Sequence, residues 1–150
     1  MSGESDLIQL YSGRILALAA DIPLTTRLAA PDASVRKRSP LCGSTVTVDV
    51  VLRDGVIAEY GQDVKACALG QASASVLGRV VVGRSRDEIA KAHAQLLAML
   101  KEDGPVPDAP FDGLEVLLPA RAYKNRHASI MLAIGATLEA MDSVLAKAAP

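Results

Sequence analysis

Residues 45–65 read TVTVDVVLRDGVIAEYGQDVK, and this stretch decides the fold. Val46, Val48, Val50 and Leu52 recur at every second position, between Thr45, Thr47, Val51 and Arg53. Successive side chains of a strand point to opposite faces, so this alternation predicts a half-buried strand. Asp54-Gly55 comes next, and a two-residue hairpin turn that needs positive φ at both positions favours that pair. Val56 to about Lys65 should therefore return antiparallel.

Working outward, one short strand is expected near Ala33–Arg38, inside an otherwise irregular run from Pro23 to Pro40. Before it, Leu7, Ile8, Tyr11, Ile15, Leu18 and Ala19 recur at helical spacing, which predicts a helix from about Ser5 to Asp21, ended by Pro23. After the hairpin, a helix from about Cys67 to Val82 would bury Leu69, Ala72, Val76, Leu77 and Val80, with Gly83 as its stop. Ser85 and Glu88 form a capping box that opens a second helix, whose stripe is Ile89, Ala92, Leu96, Met99 and Leu100. Gly104-Pro105 end that helix, and Pro105, Pro107 and Pro110 mark a loop. A last helix is expected from about Arg126 to Ala146. The class is α+β: a small antiparallel sheet of about three strands packed against a layer of helices, in one domain over residues 1–150.

Composition narrows the function. Half of the residues are apolar, so a core can form without disulfide staples. The chain has one Phe, three Tyr and no Trp, which argues against stacking on nucleic-acid bases. A net charge of −1 gives no global field toward polyanions or membranes. No segment reaches the ~18 apolar residues of a membrane span, and no signal-peptide pattern opens the chain. Two cysteines and no export signal point to a reducing cytoplasm with free thiols.

Those thiols carry the chemical signal. Cys42 lies in a Pro40-Leu41-Cys42-Gly43 turn just before the first hairpin strand, where Gly43 lets backbone amides approach whatever the sulfur holds. Cys67 precedes a helix rich in Ala and Ser, and unpaired amides at a helix start favour a thiolate. The plain alternative for each is a small buried thiol. Ser73 and Ser75 read as small residues for close helix packing. His127, after Arg121, Lys124 and Arg126, is either a ligand or a solvated surface residue. His93 reads as a boundary residue beside an apolar stripe. Arg36-Lys37-Arg38 could dock an acidic partner or form a solvated edge. No phosphate loop, nucleophile elbow or Cys-x-x-Cys pair is present.

Taken together, Ser39-Pro40-Leu41-Cys42-Gly43-Ser44, the strand pair around Asp54-Gly55, and Cys67-Ala68-Leu69-Gly70-Gln71-Ala72-Ser73-Ala74-Ser75 resemble the U-type iron–sulfur cluster assembly scaffolds. That is the family of the NifU N-terminal domain, and the likeness is greatest to its SufU-like branch. The resemblance implies a SufE/NifU-like fold and a site of three cysteines and an aspartate. That site would hold iron or a nascent iron–sulfur cluster transiently, or zinc. It also implies a cysteine desulfurase as sulfur donor, cluster-accepting proteins as partners, and no enzymatic turnover. Cys42 and Cys67 fall on two of the thiolate positions, and Ser44 falls on the aspartate. The third cysteine has no counterpart: an ungapped match puts Ser129 there, and a shift of one or two residues puts His127 there. The expected role is a scaffold or carrier using Cys42, Cys67 and His127. A degenerate member acting as an interaction or regulatory module without metal is the alternative. A persulfide-carrying sulfur-transfer protein comes third.

Overall fold

The computed structural model describes residues 11–40 and 43–148. Three antiparallel strands, β1 (Ala33–Arg38), β2 (Thr45–Arg53) and β3 (Val56–Lys65), form one sheet in the order β1-β2-β3. The expected α+β class is therefore what the chain adopts. Asp54 and Gly55 both have positive φ, 54° and 81°, as the tight turn demands. A register shift at Val51/Leu52 bends the hairpin near that turn. Val46, Val48 and Val50 are fully buried, and each such aliphatic side chain contributes about 1.5–3 kcal/mol by leaving water.

Five α-helices and one 3-10 segment complete the described chain. Helix α1 (Gly13–Ala20) starts at Ser12, whose hydroxyl accepts a hydrogen bond from the Ile15 amide at 3.4 Å. Ser12 itself is not helical (ψ 163°), so the expected run from Ser5 is interrupted there. A serine that caps the following helix gives up its own helical geometry, and periodicity does not register this. Residues 5–10 of that run lie outside the described residues.

Helix α2 (Ala68–Gly78) stops four residues before the expected Val82. The chain beyond it is drawn to the sheet instead: the Ile57 amide donates to Arg84 O, and the Gly83 amide to Ile57 O. Helix α3 (Arg86–Lys101) has the expected capping box, with Ser85 and Glu88 exchanging hydrogen bonds of 3.1 and 3.2 Å.

Two expectations need correction. The stretch after Pro110, left without an element, forms a 3-10 segment from Asp112 to Ala122. Leu114, Leu117 and Ala120 are buried at intervals of three, the period of that helix, and an α-helical search passes over it. The last helix is two: α4 (Lys124–Ile130) and α5 (Leu132–Ala148), bent by 41°. At the joint, the Met131 amide is shared between the carbonyls of His127 and Ser129, a tightened turn that ends α4. The apolar stripe runs through both helices, and so reads as one. No single helix among the described residues is long and apolar enough to cross a membrane.

Helix α5 packs across β1 and β2 and closes the core over the inward face of the sheet. One buried polar chain crosses that interface. Tyr60 Oη donates to Thr137 Oγ1 at 2.8 Å, and Thr137 Oγ1 donates to Ala133 O at 2.8 Å. Burial pushes the Tyr60 hydroxyl far above its ordinary pKa, so it stays a neutral donor.

Candidate functional site

Three pieces of chain converge at one end of the sheet. The β1–β2 connection is pinched shut at its base, where the Ser39 amide donates to Ser44 O at 2.8 Å and the Gly43 amide to Ser39 O at 3.0 Å. Gly43 has φ +70°, a conformation that costs glycine little. Ser39 and Ser44 are both buried. Leu41 and Cys42, which this connection carries, lie outside the described residues.

Cys67 is the N-cap residue of α2, extended at ψ 170°, with its carbonyl accepting from the Gln71 amide at 2.9 Å. Its thiol is free and half-buried. Ser129, on α4, is 1% exposed. The sulfur of Cys67 stands 3.5 Å from Ser129 Oγ, which donates to Ser44 Oγ at 3.2 Å. One side chain from each of the three pieces thus meets in a single polar group.

Close packing of α2 on α4 makes this meeting possible. A Cβ placed on Gly70 would lie 2.6 Å from Ser129 Oγ and 2.9 Å from Ala66 Cβ, so only glycine lets the helices approach this far. Ser73, one turn on, donates to Ile130 O at 2.8 Å and ties the two helices together. Ser75 Oγ donates to Asp21 O at 3.3 Å, so both serines serve packing, as their small size suggests. The importance of Gly70 escaped the sequence, where it is one small residue among many.

His127 faces elsewhere. Two positions apart on a helix is roughly 200° of rotation, and the His127 ring meets the end of the 3-10 segment, with Nε2 donating to Ala120 O at 3.0 Å and Arg121 O at 3.1 Å. Its Nδ1 is buried and has no hydrogen-bond partner. The structure therefore brings Cys67, Ser44 and Ser129 together and directs His127 to the backbone behind them. His93 is half-buried beside Gly135, and burial first, then the Lys37 charge, hold its pKa below the ordinary value.

No protein-family model matches this chain, and no curated protein does. Among solved structures, it is similar to a nitrogen-fixing NifU-like protein (N-terminal) from Brucella abortus. The two are 42% identical over 95% of this chain and 99% of that one, with a TM-score of 0.92. The chain belongs to the NifU-like N-terminal family of U-type scaffolds. Two more distant structures share the fold. One is described as an iron–sulfur cluster assembly scaffold for the SUF system of Fervidobacterium islandicum AW-1: 16% identity, 89% and 98% coverage, TM-score 0.79. The other is described only as hypothetical: 20% identity, 90% and 98% coverage, TM-score 0.76.

Against the donor set of a U-type site, the geometry and the chemistry diverge. Metal–sulfur and metal–oxygen bonds of about 2.3 and 2.1 Å would set tetrahedral ligands roughly 3.4–3.6 Å apart. The contacts of 3.5 and 3.2 Å come near that spacing. Hydroxyls, however, stay protonated near neutral pH and are poor soft-metal ligands. Among the described residues, no three of His, Cys, Asp and Glu gather where they could hold a metal ion. Cys67 is the soft donor of this group among the described residues, and the two hydroxyls beside it are hydrogen-bonding groups.

Proposed function

We propose that this U-type protein is an iron–sulfur cluster assembly scaffold or carrier. Its cargo would be iron or a nascent cluster, held transiently by the thiolates of Cys42 and Cys67. The observation that carries this reading is the approach of Cys67 Sγ to Ser129 Oγ and, through it, to Ser44 of the connection that bears Cys42. Two thiolates and two hydroxyls bind soft metal more weakly than three thiolates and a carboxylate. Quicker release follows, which suits a carrier. Zinc would compete for the same thiolates, which are soft ligands for it as well. Ser129 and Ser44 would donate hydrogen bonds to the bound sulfur, and His127 would tether α4 to the segment behind it. A cysteine desulfurase would supply sulfur, and proteins with empty cluster sites would receive the product. No turnover of a substrate is assigned, and a reducing cytoplasmic compartment suits free thiols.

Anaerobic reconstitution with iron, sulfide and reductant tests the proposal. Visible cluster absorption or stoichiometric bound iron is expected, lost in Cys42→Ser and Cys67→Ser. Absence of both in the wild-type protein would overturn it. The mutual hydrogen bond of Ser129 and Ser44 favours a second reading, an interaction module without metal. In that case, partner binding would survive both cysteine substitutions while iron uptake is nil.

A further inference from the structure

The sheet has a second face, turned away from the helices, and its charges are unevenly spent. Register places Arg38, Thr45 and Lys65 in one row across the three strands, and Arg36, Thr47 and Asp63 in the next. Arg27, Arg36, Thr45, Thr47, Asp63 and Lys65 line a groove of about 270 Å³ there. Arg27 is committed to Asp49 at 2.6 Å, and Lys65 reaches Asp63 at 4.0 Å. Lys37, between the two arginines, points to the other face and pairs with Glu139 at 3.0 Å. Arg36 and Arg38 are exposed and make no ion pair among the described residues.

We propose that this outward face docks an extended acidic segment of a partner protein, with Arg36 and Arg38 as its anchors. Two same-face residues on a strand stand roughly 6.6–6.8 Å apart, and carboxylates at alternate positions of another extended segment share that spacing. The threonine hydroxyls on the groove floor offer hydrogen bonds to those carboxylates. Asp63 interrupts the row, so a continuous phosphate backbone is a poor occupant, whereas a peptide of alternating acidic and neutral residues can set a neutral side chain opposite it. The face also carries no aromatic ring for a base to stack on.

The location gives the groove its use. Arg38 immediately precedes Ser39, Thr45 immediately follows Ser44, and Lys65 lies two residues before Cys67. A partner held along these rows is thereby brought to the thiol end of the molecule. This use rests on the scaffold reading; the docking itself does not.

Fluorescence anisotropy with a labelled peptide of alternating Glu and Ser tests the docking directly. Binding should weaken with added salt and exceed that of a Gln/Ser peptide. The double variant Arg36→Glu/Arg38→Glu should weaken it about tenfold or more. Lys147→Glu, a reversal on the exposed end of α5, should leave it unchanged. An equal loss in Lys147→Glu, no preference over the Gln/Ser peptide, or readier displacement by inorganic phosphate or duplex DNA would overturn the proposal. Cys67→Ser should retain peptide binding, and the double arginine variant should retain iron uptake. Failure of iron uptake in the wild type, with peptide binding intact, would remove the scaffold reading and leave the groove standing.

Discussion

Two polar clusters lie within this protein, one built around a buried charge and the other of a thiol and two hydroxyls. Asp49, fully buried on the outward side of β2, is saturated. Arg27 grips both carboxylate oxygens at 2.6 and 3.1 Å, the Leu28 amide donates at 3.0 Å, and Ser34 Oγ donates as well. The cluster of Cys67, Ser129 and Ser44 is built of uncharged hydroxyls and a sulfur, joined by contacts of 3.5 and 3.2 Å. A buried charge must be fully bonded or it destabilises the fold. An uncharged hydroxyl carries a smaller penalty when its bonding is imperfect. The first cluster holds the strand-crossing segment Arg27–Leu28 against the sheet; the second joins the β1–β2 connection, α2 and α4 through uncharged side chains.

If that contrast holds, the largest effect comes from emptying the saturated cluster. Asp49→Ala should cost about 2–4 kcal/mol in denaturant unfolding, because Arg27, Ser34 and the Leu28 amide all lose their acceptor. The carboxyl also sets a pH dependence. Burial pushes its pKa up, but the bonds from Arg27, Ser34 and Leu28 outweigh burial, and the net value is below the ordinary one. A carboxylate with a lowered folded pKa stabilises fully above its unfolded value of about 3.9, and loses that contribution as pH falls through the folded value. Between pH 7 and 5 this group should therefore add no pH dependence to the unfolding midpoint. Below about pH 4 the wild type should lose stability faster than Asp49→Asn. Parallel acid curves for the two would remove Asp49 from this role.

A middle-sized effect is expected where the thiol–hydroxyl cluster leans on close packing. Gly70→Ala would place a methyl carbon 2.6 Å from Ser129 Oγ and 2.9 Å from Ala66 Cβ, so α2 and α4 must part. Overpacking of this kind costs about 1–3 kcal/mol. The double variant Gly70→Ala/Ser129→Ala removes the nearest clashing atom and should recover part of the loss, giving a coupling of about 0.5 kcal/mol or more. Additive effects would mean that Ser129 does not bear the contact.

These two clusters also mark what could be read from the chain and what could not. The hairpin was legible because the valine alternation and Asp54-Gly55 each follow one local rule. The α3 cap was legible for the same reason. Cys67 and Ser129 could be singled out by likeness to the family, and their meeting needs β1–β2, α2 and α4 to assemble. Asp49 passes without notice in the valine run, because its burial comes from Arg27 and Leu28, which no local rule places over it. The breaks at Ser12 and Met131 were invisible because each interrupts the backbone without interrupting the apolar stripe. The 3-10 segment was missed because its period is three.

The smallest change in fold stability should come from the thiol–hydroxyl cluster itself, together with a clear change in metal binding. Ser129→Cys alters one atom at a site already 3.5 Å from Cys67 Sγ, so unfolding free energy should move by no more than about 1 kcal/mol. The new thiolate adds a soft ligand where a hydroxyl stood, and cobalt(II) titration should show stronger thiolate-to-metal absorption with affinity raised about tenfold or more. Cys67→Ser should be equally mild for the fold and abolish the gain when combined with Ser129→Cys. A saturated cluster could not give this pattern, because replacing an atom in it changes stability first. If Ser129→Cys instead costs as much as Asp49→Ala and binds cobalt no better, the two clusters are alike, and the second is structural as well.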